Sequence, residues 1–320
     1  MSSGLASLKI QVHDPGLSRR RLADRLAKGS FFVLASLPVI LAGTILVALV
    51  WRSRPILAQQ SIGRLITGRV WLPSQGQFGF LPFIAGTLWV TIVAMILAVP
   101  PCLLTAIYLA EYARPRLRGI MKPLLDLLAA IPSVIYGVWG MIAIVPMVQS
   151  AGPKVSGVLG FIPIFADHNP TGFSILAGGI VLAVMVAPFI IAITYEVFLA
   201  IPEGLRQASL AVGATRWQTI KHVIIPQSLP GIMAGIVLGA SRALGETMAV
   251  LMVVGNVAKV PSSIFDPAYP LPALIANNYG EMLTIPLYDA ALMTTALLLL
   301  VIVLVFNVFS TLALRHIKGR

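Results

Sequence analysis

Charge is scarce in this 320-residue chain: Asp, Glu, Lys and Arg make up 11% of it, against 58% hydrophobic residues and a mean hydropathy of +0.92. Twenty-three basic and eleven acidic side chains cannot cover a soluble core of this size, so lipid must replace water around most of the surface. There is one cysteine, Cys102, so no disulfide forms within the chain; beside Pro100 and Pro101 in an apolar run it reads as a small packing residue. No lysine follows a glycine. That excludes the Gly-Lys-Ser/Thr loop that cradles nucleotide phosphates, and with it an ATPase site of that kind. The four histidines, His13, His168, His222 and His316, have no spacing that puts two on one helical face. No catalytic residue, metal or cofactor is therefore expected in this chain. No repeat of fixed period recurs, so a two-fold pore needs a second chain. The net charge of +12 sits in short basic clusters between long apolar runs, which points to membrane orientation and away from nucleic acid.

What the chain has in quantity is apolar sequence. Charge-free stretches at 31–51, 70–110, 127–153, 169–195, 223–241 and 290–314 each supply the roughly 20 residues that cross ~30 Å of hydrocarbon. They predict an all-α polytopic membrane protein with six transmembrane helices. The fifth run resumes after Arg242 and Glu246, which sets that span at 229–254. The run 31–51 is too long for the apolar part of a cleaved signal peptide and reads as a retained helix. The expected organisation is a basic cytoplasmic segment 1–30, the first helix 31–51, an extracytoplasmic loop 52–80, a five-helix core 81–314 with an inner loop 199–226, and a tail 315–320. With the N-terminus inside, sixteen Lys and Arg fall on inner segments, in clusters such as Arg19 to Lys28 and Arg114 to Lys122. Six fall outside and Arg242 lies within a span. The positive-inside bias places both termini in the cytoplasm.

The inner loop from Ile201 to Pro226 is built as a handle. Pro202 is placed to begin a helix, and Glu203 in its first turn suits the helix dipole. Gly213 permits a sharp turn, and Pro226 leads into span five. Ala208, Ala211 and Ala214 let another surface approach closely, while Leu205, Leu210, Val212 and Trp217 are apolar anchors. The competing reading is an amphipathic helix lying on lipid.

Within span five, Gly231, Gly235 and Gly239 recur every four residues and form a groove for close helix approach. At ~100° per residue, Gly231, Gly239, Arg242 and Glu246 fall within about 40° of Gly235. Charges at membrane depth are expensive, so Arg242 and Glu246 are expected to pair and to face protein or a wet cavity. Two readings stand. In one the pair clasps helices together; in the other Arg242 offers a fork of donors to an oxyanion and Glu246 keeps that binding exchangeable. Pro132 should break span three and free backbone groups near Ser133, so that Ser133 and Tyr136 line a path, or Tyr136 packs.

The inner loop resembles the coupling loop of ABC-importer permeases. That family's Glu-Ala-Ala, three residues, Gly, nine residues and apolar-x-apolar-Pro run is matched by Gln207-Ala208-Ser209, Gly213 and Val223-Ile224-Ile225-Pro226. Gln207 stands for Glu and Ser209 for Ala. Further blocks across 75–312 resemble the permease subunit of the bacterial phosphate-specific ABC importer, of the PstC type. They are Phe78 to Pro82 with Gly86-Thr87-Leu88, Ala106 to Tyr112, Ile131 to Gly137, Ala208 to Trp217, Arg242 to Val250 and Gly255-Asn256. The resemblance implies the type I ABC importer permease (MetI-like) architecture in a bacterial inner membrane, passing inorganic phosphate inward by alternating access. It implies a homologous second permease (PstA-like), two copies of a cytoplasmic ATPase (PstB-like) that hold the ATP and Mg, and an extracytoplasmic phosphate-binding protein (PstS-like). It assigns Glu203, Gln207, Ala208, Ser209, Gly213, Ala214 and Arg216 to the surface that meets the ATPase. A permease for sulfate or molybdate has the same architecture. An ion-coupled secondary transporter would account for the hydropathy, yet leaves the loop register unexplained.

Overall fold

The computed structural model describes residues 15–166, 169–280 and 285–318. Residues 1–14 of the basic N-terminal segment, His168 and Arg320 lie outside that description. Among the described residues six helices are long and apolar enough to cross a membrane: Asp24–Gln59, Leu81–Tyr112, Ser133–Leu159, Ile175–Leu199, Arg216–Leu244 and Tyr288–Arg315. The chain divides into two units, residues 1–51 and 52–320. The described part of the first belongs to one helix, α1 (Pro15–Gln59), which runs on through Pro38; its last turns belong to the second unit.

The second unit opens on short elements. Ser61 caps α2 (Ile62–Thr67) by accepting from the Arg64 amide. Strand β1 (Trp71–Leu72) then pairs antiparallel with β2 (Gln77–Phe78) across a turn that Gly76 closes at φ +70°. This hairpin takes up the start of the charge-free run at 70, so the second span begins at Leu81. Its aromatic residues explain why it folds: Trp71, Phe78, Phe80, Phe83 and Tyr288 form one cluster with ring centroids 4.9 to 6.5 Å apart.

Helix α3 (Leu81–Ile107) ends in a π turn, Tyr108–Tyr112, and the amphipathic α4 (Pro115–Ala130) follows. Pro132 has extended backbone, φ −57° and ψ 137°, and separates α4 from α5 (Ser133–Trp139). The third span therefore starts at Ser133 and not at 127: proline has no N–H and forces the residue before it out of the helical region. A π turn, Gly140–Ile144, joins α5 to α6 (Val145–Leu159). Helix α7 (Ile175–Leu199) is the centre of the core. Val181, Leu182, Val186 and Ile190 on it are wholly buried, and α3 packs along it so closely that a Cβ on Gly179 would stand 2.5 Å from Val93 Cγ1.

After α7 come α8 (Glu203–Ala211), α9 (Arg216–Thr219), a π turn (Ile220–Ile224) and α10 (Ile225–Leu244). Span five ends at Leu244 rather than continuing to 254. Gly245 leaves the helix, and Glu246 accepts the Ala249 amide at 3.3 Å to start a separate short helix, α11 (Met248–Leu251). The chain turns at Gly255 (φ +92°) and Asn256 (φ +51°), passes through α12 (Leu271–Asn278) and leaves in α13 (Tyr288–Lys318).

Candidate functional site

Two regions hold the residues singled out above. The first is the loop between α7 and α10. Gly213 adopts φ +88°, a conformation that favours glycine, and turns the chain so that the Gly213 and Ala214 amides donate back to Leu210 and Ser209. Thr215 and Gln218 then form a reciprocal capping box that starts α9. Ser209 Oγ meets Thr219 Oγ1 at 2.9 Å and staples α8 to α9. Beneath, Ile201, Ile220 and Ile224 are buried with Ala106, Ala110, Phe198 and Ile232.

The other face of the loop is open. Val212 is 85% exposed and Trp217 53%, with Leu205 and Leu210 exposed beside them. Glu203, Gln207, Ala208, Gly213 and Arg216 are exposed, and Ser209 and Ala214 half-buried. Apolar side chains grouped on an exposed face mark a surface that another protein or lipid covers.

One side chain of α8 points the opposite way. Arg206, 13% exposed, donates to the carbonyls of Phe198 and Ile201 at 2.6 and 2.7 Å and to Glu111 Oε1 at 3.0 and 3.3 Å. Glu111 lies in the π turn that ends span two. A cavity of about 430 Å³ opens beside the pair, lined by Glu111, Arg118, Arg206, Leu210, Arg216 and Thr219 among others. Sequence reasoning gave Arg206 and Glu111 no role. The available signal was Glu111 itself, the carboxylate that ends the 41-residue charge-free stretch 70–110.

The second region is the end of span five. Gly231, Gly235 and Gly239 face α7: added Cβ atoms would stand 2.5 Å from Val197 Cγ1, 3.1 Å from Ile193 Cγ2 and 2.8 Å from Ile190 Cγ1. The expected pairing of Arg242 with Glu246 is not formed, because α10 stops at Leu244 and Glu246 no longer shares a helical face with Arg242. Arg242 is exposed and its guanidinium carbon lies 3.9 Å over the Phe189 ring, a cation–π contact. Tyr136 is buried and its hydroxyl donates to Leu128 O at 2.8 Å, tying α5 to α4 across the Pro132 break. Ser133 is half-buried in the first turn of α5. Glu246 lines a cavity of about 10 Å³ with Thr87 and Thr91. Among the described residues no group of three or more His, Cys, Asp or Glu is placed to hold a metal ion.

Among the described residues, six helices apolar and long enough to cross a membrane, α7 the most buried of them, and a capped loop presenting apolar side chains outward define a permease subunit of the type I ABC-importer fold. The inward-facing MetNI methionine ABC transporter superposes with a TM-score of 0.52 at 23% identity, over 72% of this chain and 93% of that one. Two relatives are named phosphate transport system permease protein PstC. That of Mesorhizobium japonicum is 33% identical over 96% of this chain and 94% of its own; that of Haemophilus influenzae is 35% identical over 92% and 94%. The family model described as binding-protein-dependent transport system inner membrane component matches residues 102–320. The chain belongs to that family, among its PstC-like permeases.

Proposed function

We propose that this chain is the membrane-spanning permease subunit of an ATP-driven importer that passes inorganic phosphate inward by alternating access. The observation that carries the reading is the similarity to phosphate permeases along nearly the whole chain, which takes in both the loop 203–219 and the end of span five. The chain has no Gly-Lys-Ser/Thr loop, so ATP is hydrolysed on a partner. That partner is a pair of cytoplasmic ATPases seated on Leu205, Leu210, Val212 and Trp217, with Glu203, Gln207, Ala208, Ser209, Gly213, Ala214 and Arg216 forming the rest of the contact. A homologous second permease completes the path, and an extracytoplasmic phosphate-binding protein delivers the anion. Sixteen basic residues on one set of segments against six on the other orient both termini to the cytoplasm.

Arg242 is the residue best suited to meet phosphate. Stacked on Phe189 and exposed, it keeps its N–H fork available for oxyanion oxygens. Cation–π stacking positions the guanidinium without the competing anion that a salt bridge would place on it. Ser133 and Tyr136 on α5 and Glu246, which caps the turn that follows α10, are the other residues of the proposed path. The test is phosphate uptake into membrane vesicles from cells carrying the complete set of subunits. Uptake should require ATP and withstand an uncoupler. Uptake that collapses with the proton gradient would instead indicate an ion-coupled carrier, and preferential uptake of sulfate or molybdate would reassign the substrate.

A further inference from the structure

We propose that Arg206 and Glu111 are the positioning pair through which movement of the loop reaches the membrane-spanning helices. The inference rests on the transporter reading above and gives it a specific link. Helix α8 buries none of its residues, so apolar contacts do not hold it rigidly to the helices beneath. The Ser209–Thr219 bond closes the loop on itself and does not tie it to α3 or α7. Arg206 does both. Its donors reach Phe198 at the end of α7, Ile201 in the linker and Glu111 at the end of span two. These two spans pack against each other along the core, so a displacement of α8 acts on both from one end.

Among the described residues the pair is the one with both side chains screened from water; the second ion pair of Arg206, with Glu203 at 3.6 Å, has its carboxylate side chain 70% exposed. The side chains of Arg206 and Glu111 are 13% and 14% exposed, whereas Lys122–Glu196 is 63% and 53% exposed and Arg52–Asp289 58% and 36%. An ion pair screened from water is directional and costly to break on one side, while apolar contacts slide. Glu111 also sits in a π turn, where the helix ladder is already loosened and can change register with the carboxylate. The cavity beside the pair gives the loop room to shift without displacing packed side chains.

The experiment uses the complete transporter in proteoliposomes: both permeases, the ATPase and the phosphate-loaded binding protein. Glu111→Gln and Arg206→Met are compared with the conservative Glu111→Asp and Arg206→Lys. The readouts are ATPase co-purification, melting temperature in detergent, and phosphate moved per ATP hydrolysed. Glu111→Gln and Arg206→Met should retain the ATPase yet move roughly 2- to 30-fold less phosphate per ATP, as expected for residues along a coupling path. The conservative variants should fall between these and wild type. An unchanged ratio in the two disruptive variants would overturn the proposal. So would loss of folding and of ATPase binding in all four, since that marks a structural role. A wild-type complex that accumulates no phosphate with ATP would instead remove the transporter reading itself.

Discussion

Gly213 offers a test in which backbone conformation can be separated from side-chain contact. Its φ of +88° is reached freely only by glycine, yet no atom lies within 4 Å of a Cβ added there. A Cβ at 213 therefore meets no other part of the chain, and the cost of Gly213→Val is chiefly that of the left-handed backbone, about 1–2 kcal/mol for an L-residue. A loop that escapes this cost loses the hydrogen bonds from Gly213 to Leu210 and from Ala214 to Ser209, and the Thr215–Gln218 capping box moves with it. An energy of that size lowers the ratio of native to rearranged loop by about 5- to 30-fold. The apparent affinity for the ATPase should fall by up to the same factor, because only the native loop presents Val212 and Trp217 together. The assay is titration of the purified permease pair with the ATPase, with the melting temperature of the permease as control. Gly213→Asn should lose less than Gly213→Val, since asparagine tolerates positive φ. Wild-type affinity in Gly213→Val, or equal losses in the two variants, would refute the reasoning.

Three further outcomes are expected. Arg242→Lys keeps the charge but loses the planar fork and the stacking on Phe189, so phosphate uptake should drop about tenfold or more with normal assembly; full uptake would return Arg242 to a packing role. Gly239→Ala places a methyl 2.8 Å from Ile190 Cγ1, which is wholly buried, and should destabilise the purified protein by about 1–3 kcal/mol, read as a lower melting temperature. An unshifted melting curve would show that α10 and α7 part more easily than the packing indicates. The Glu196 carboxylate, 2.6 Å from Lys122 Nζ, holds that ammonium above its ordinary 10.5. A folded pKa raised above the unfolded one gives stability that is complete below pH 10.5 and is lost as pH climbs through the raised value. The difference between Lys122→Met and wild-type melting temperatures should stay constant from about pH 6 to 9; a change within that window would contradict the assignment.

Much of the architecture follows from hydropathy, because each span must satisfy its own backbone and carry an apolar surface. The turn at Gly213 was equally legible, since Pro202 and Pro226 bracket it and glycine is suited to the positive φ there. Hydropathy does not separate a short strand from a helix, and the hairpin at Trp71–Phe78 was accordingly absorbed into a charge-free run. The expected pairing of Arg242 with Glu246 failed for a related reason: helical periodicity holds only while the helix continues, and Gly245 ends it. Arg206 and Glu111 are 95 residues apart, so their contact depends on how α3 and α7 pack, which no local pattern encodes. The residues around Arg242 divide along the same line. Phe189 reaches it through tertiary packing, while Ser133 and Tyr136 stand together because they share the first turn after Pro132.

The central claim is that the energy for transport enters from a separate chain through the loop. Its most direct test is labelled phosphate accumulation in sealed proteoliposomes containing this chain with its second permease and binding protein, with and without the ATPase. Accumulation against a gradient should occur only when the ATPase and ATP are both present. Uphill accumulation by the membrane subunits alone would contradict the account.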